Sequence, residues 1–79
     1  MTKETKVTAV ELTKEEKIGV IQSHMKNVQY SKYNAQITLV EEGALATPNA
    51  ENVTAANEVI TKADAQLAAL QAEIDALGE

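Results

Sequence analysis

The sequence contains no cysteine, arginine, tryptophan or phenylalanine, and its 79 residues include one histidine and one proline. Without cysteine there is no disulfide staple, no thiolate metal site and no cysteine nucleophile, and the redox compartment is left open. A lone His24 excludes a His-pair metal site. Tyr30 and Tyr33 are the whole aromatic complement, which is little material for the stacking platforms that hold single-stranded nucleic acids. The core must therefore be aliphatic. No stretch approaches the roughly eighteen consecutive apolar residues of a membrane span. The opening Met1-Thr-Lys-Glu-Thr-Lys6 also lacks the apolar stretch of a signal peptide. The expectation is a soluble chain made in the cytoplasm, with no membrane partner. A chain this short is one domain at most, and it buries only about 60% of the surface its unfolded form exposes. Stabilisation from outside the chain is expected.

Charge is present and unevenly placed. Seven lysines face twelve acids, for a net charge of −5. The lysine excess falls in residues 13–40, while residues 50–79 set six acids against Lys62 alone. An acidic chain without arginine is poorly suited to neutralising phosphates, so nucleic acid is not an expected partner.

Three segments separate along the chain. Residues 1–12 are polar and Thr-rich, and read as an N-terminal arm, extended or flexible. Thr13-Lys-Glu-Glu16 matches a capping box, in which the threonine hydroxyl and the glutamate side chain each satisfy the other residue's backbone N–H. A first helix is predicted over 14–42, about 43 Å at 1.5 Å per residue. Gly43 is placed to end it as a left-handed cap. Gly43-Ala-Leu-Ala-Thr-Pro-Asn49 is the interior turn signal. Its loop is predicted over 43–47, with Thr47 capping a second helix over 48–77 that opens on Pro48. Residues 13–79 thus read as one all-α unit, an antiparallel, coiled-coil-like two-helix hairpin.

The periodicity supports this. Val53, Ala56, Ile60, Ala63, Leu67, Leu70, Ile74 and Leu77 alternate steps of three and four without a fault. Ile18, Ile21, Met25, Val28, Lys32, Ala35 and Leu39 repeat that spacing in the first helix with one polar intruder. Helices of similar length joined by a short loop pack antiparallel. Leu39 then falls beside Val53 and Ile18 beside Ile74. Lys32 comes near Ile60, its stem covering apolar surface and its ammonium reaching toward Asp64 or Glu58.

A second stripe on the first helix has no place in that seam. Tyr30, Tyr33, Ile37, Val40 and Ala44 follow the same spacing on another face, whereas a two-helix hairpin buries one stripe per helix. Two covers are conceivable, the chain's own arm or another protein chain. Tyrosine is enriched at interface hot spots, which favours the second, so the expected protein interface is Tyr30, Tyr33, Ile37 and Val40. The outer face of the second helix is rich in alanine, which suits a closely approaching neighbour as well as plain helix propensity.

No constellation for chemistry is found. His24 and Ser23 are adjacent on a helix and so point about 100° apart. Glu15/Glu16 and Glu41/Glu42 read as helix-end charge and solvated faces, the second pair unfavourably at a C-terminus. Neither an EF-hand nor a phosphate loop occurs. The expectation is a protein that is not an enzyme and uses no cofactor or metal.

The segment Leu12-Thr-Lys-Glu-Glu-Lys-Ile18, then Gln29-Tyr-Ser-Lys-Tyr-Asn34, the Pro48-bearing loop and the tail from Gln66 to Leu77 together resemble small uncharacterised helical proteins encoded by marine and cyanobacterial phages. The resemblance spans most of the chain and brings no catalytic residue with it. It implies a phage setting, in which proteins of this size act by binding, as minor virion components or as inhibitors and adaptors aimed at a host protein. The function expected is that of a non-catalytic helical hairpin that self-associates or docks in a larger assembly. The alternative is a small acidic inhibitor or adaptor of a host protein.

Overall fold

The computed structural model describes residues 11–78. Over them the chain forms two α-helices, α1 from Lys14 to Gly43 and α2 from Ala50 to Gly78, packed against each other. The all-α hairpin expected from the periodicity is the observed fold. Most of the proposed arm, residues 1–10, lies outside the described residues.

α1 begins as its sequence dictates. Thr13 has an extended backbone and caps the helix. Its Oγ1 accepts from the Glu16 N–H at 3.1 Å, and the Thr13 N–H donates to Glu16 Oε1 at 2.8 Å. The other end differs from expectation. Gly43 belongs to the helix, Ala44 is the C-cap at φ −82°, ψ −11°, and no described residue has a positive φ. The Ala44 and Leu45 N–H groups donate to the Glu41 and Glu42 carbonyls at 3.2 and 3.1 Å. A tightened last turn thus satisfies these carbonyls, and no left-handed residue is required.

α2 starts at Ala50, after Pro48. Thr47 was the expected cap, but Asn49 takes the position. Its Oδ1 accepts from the N–H groups of Glu51 and Asn52 at 2.9 and 3.1 Å, and its carbonyl accepts the first helical bond, from Val53, at 3.1 Å. Asparagine is a better cap than threonine and lies two residues further on, which moves the start.

Every seam position named from the sequence is buried or half-buried. The fully buried ones are all alanines: Ala35 at 5% exposure, Ala56 at 5% and Ala63 at 2%. Small residues let two backbones approach closely. The long side chains of the seam flank that contact and are each only partly covered, so among the described residues no large side chain is fully buried. Lys32 fills its seam position with its stem and donates from Nζ to Asp64 Oδ1 at 2.7 Å. Of the two acids expected to receive it, Asp64 is the one engaged.

Candidate protein-interaction surface

The hairpin presents two features outside its seam, a polar clasp at the closed end and an apolar stripe on the back of α1. The clasp centres on Glu42. One carboxylate oxygen accepts from the Asn49 N–H at 2.7 Å, and the other accepts from Asn52 Nδ2 at 2.9 Å. The backbone bond from Asn49, and after it the side-chain bond from Asn52, hold the Glu42 carboxyl below its ordinary value of 4.5. A carboxylate that sits badly at the C-terminus of its own helix is stabilised because the loop folds the N-terminal end of α2 onto it. Sequence reading placed Glu42 on a solvated face. The signal that finds the clasp is the pair of asparagines just past the turn, at positions where one caps and the other donates.

The stripe follows from helical geometry. At 3.6 residues per turn, Tyr30, Tyr33, Ile37 and Val40 line the side of α1 that faces away from α2. Tyr30 and Tyr33 are each 61% exposed and Val40 is 67% exposed. Ile37 is half-buried, flanked along its own helix by Tyr33 one turn before and Glu41 one turn after. Lys26, Gln29, Tyr30 and Tyr33 line a surface groove at the start of the stripe. Leu45 extends the apolar surface into the loop at 52% exposure.

Three further large apolar residues are exposed, Leu12 at 50%, Val20 at 49% and Val59 at 40%. Val59 stands beside a groove lined by Ser31, Asn34, Thr38, Asn52 and the alanines between the helices, which carries no charged side chain. Ala55, Ala65, Ala68, Ala69, Ala72 and Ala76 are exposed on α2. Among the described residues no three acids or histidines converge to hold a metal ion, and no helix is long and apolar enough to cross a membrane. His24 is exposed.

Comparison with protein-family models, with curated proteins and with solved structures finds no match to this chain.

Proposed function

We propose that this protein is a non-catalytic helical-hairpin interaction protein that self-associates or docks in a larger assembly. In the phage setting suggested by its resemblance, that assembly is a virion and the protein a minor component. One observation carries the reading. Among the described residues the hairpin buries three alanines and no large side chain, yet leaves both tyrosines and Val40 mostly exposed on one face of α1. A hairpin with so small a core gains most from covering that face, and aromatic residues are the ones that contribute most when an interface covers them. Light scattering on the purified chain tests this. Association is the expected result. A well-folded monomer of 8.5 kDa throughout the micromolar range, with no partner in an assembly, overturns it.

A second reading rests on α2, whose described residues Glu51, Glu58, Asp64, Glu73 and Asp75 outweigh Lys62. An acidic rod suits a host protein with a basic surface, as an inhibitor or adaptor would. Capture experiments separate the two readings, since an assembly component recovers its structural partners and an inhibitor recovers one host target.

A further inference from the structure

The exposed stripe of α1 ends in opposite charges. Lys26 lies one turn before Tyr30, Glu41 lies one turn after Ile37, and both side chains are exposed. Among the described residues the ion pair formed is Lys32–Asp64, so neither charge has an ion-pair partner among them. They are also about 22 Å apart along one helix and cannot meet within a chain. A surface that is positive at one end, apolar in the middle and negative at the other is complementary to itself when turned end for end.

We infer that the stripe binds a second copy of the same chain, with the two α1 helices antiparallel and Lys26 of each copy within reach of Glu41 of the other. This rests on the self-association proposed above and specifies its geometry. In antiparallel helix pairs, residues from the alternating three-and-four steps share layers. The register that keeps the central layers apolar sets Tyr33 against Ile37 of the second copy and Tyr30 against Val40. Lys26 then falls beside Ala44, and Glu41 lies one turn away, within reach of the lysine stem. Parallel pairing would instead bring Lys26 onto Lys26 and Glu41 onto Glu41. The contact is two-fold and closes at two chains. One helix face about 27 Å long is a smaller patch than the roughly 800 Å² per partner of standard interfaces, so the dimer forms reversibly, at micromolar concentrations.

Sedimentation equilibrium over about 5 to 500 μM brackets such an interface. Four samples join the wild type: Lys26→Glu, Glu41→Lys, the two substitutions in one chain, and an equimolar mixture of the two single variants. Each single variant replaces two attractive contacts by two repulsive ones and is expected to weaken dimerisation about tenfold. The double variant and the mixture both restore opposite charges and recover the wild-type constant to within about threefold. Circular dichroism at the lowest concentration checks that every variant remains helical. Singles that dimerise like the wild type, or a double variant as weak as the singles, overturn the antiparallel register while leaving association standing. A ladder of masses beyond the dimer overturns the two-fold contact. A wild type that never exceeds one chain mass overturns this inference together with the self-association on which it rests.

Discussion

Replacing Ala63 by leucine tests whether close approach of the helices at alanine organises this hairpin. Ala63 is the most buried residue described, at 2% exposure, and three added carbon atoms have no free volume there. Leucine and alanine have similar helix propensity, so the local helix is not the variable. The structure relieves the clash by moving the helices apart, which uncovers flanking seam side chains such as Ile60 and Leu67. Exposing some 50 Å² of apolar surface costs about 1.3 kcal/mol, within the ~1 to 3 kcal/mol typical of overpacked sites. For a chain of this length that is a sizeable share of a total stability of roughly 4 to 12 kcal/mol. Ala68→Leu, the same change at an exposed position of the same helix, is expected to fall within about 0.5 kcal/mol of wild type. Urea titration followed by far-UV circular dichroism, at one fixed protein concentration because association shifts apparent stability, reads both. Equal midpoints for the two variants would refute the claim that the alanine contact sets the spacing of the helices.

Further tests address the clasp and the two stripes. Leu70→Asp places a charge in the half-buried seam and is expected to unfold the hairpin, whereas Tyr33→Asp lowers helix content only by way of dissociation; dilution series separate the two, and identical behaviour would mean that both stripes form one core. Asn49→Ala removes the cap of α2 and is expected to cost about 1 kcal/mol by denaturant titration. Because the folded-state pKa of Glu42 is depressed, its contribution is present above the ordinary carboxylate range and is lost as pH falls through the lowered folded value. A Tm difference between wild type and Glu42→Gln at neutral pH should therefore shrink on acidification below about 4.5, and a pH-independent difference would remove the carboxylate from the account. The Lys32–Asp64 pair is 29% and 56% exposed, so a double-mutant cycle is expected to return less than about 1 kcal/mol, falling with added salt.

The seam was fully legible in the sequence because its signal repeats, each turn restating which face is apolar. The start of α1 was legible for a different reason, since a capping box is contained within four residues. The two ends at the loop were not. Gly43 and Thr47 each match a local preference, but the choice among neighbouring caps depends on what the folded loop brings near. Here the deciding contact is Glu42 with Asn49 and Asn52, which exists only once the chain has turned back. Exposure of the tyrosines was legible by subtraction, because a two-helix hairpin has one inside. The seam's failure to enclose any large side chain was not, since periodicity reports direction and says nothing of depth.

The clasp also bears on the order in which the hairpin comes together. Glu42 and Asn52 are 10 residues apart in the chain, and Lys32 and Asp64 are 32 apart. Closing the shorter loop loses less entropy, and once it is closed each further contact joins segments already held side by side. The polypeptide is thereby suited to zip from its bend toward its free ends, a route built from local steps that favours rapid folding.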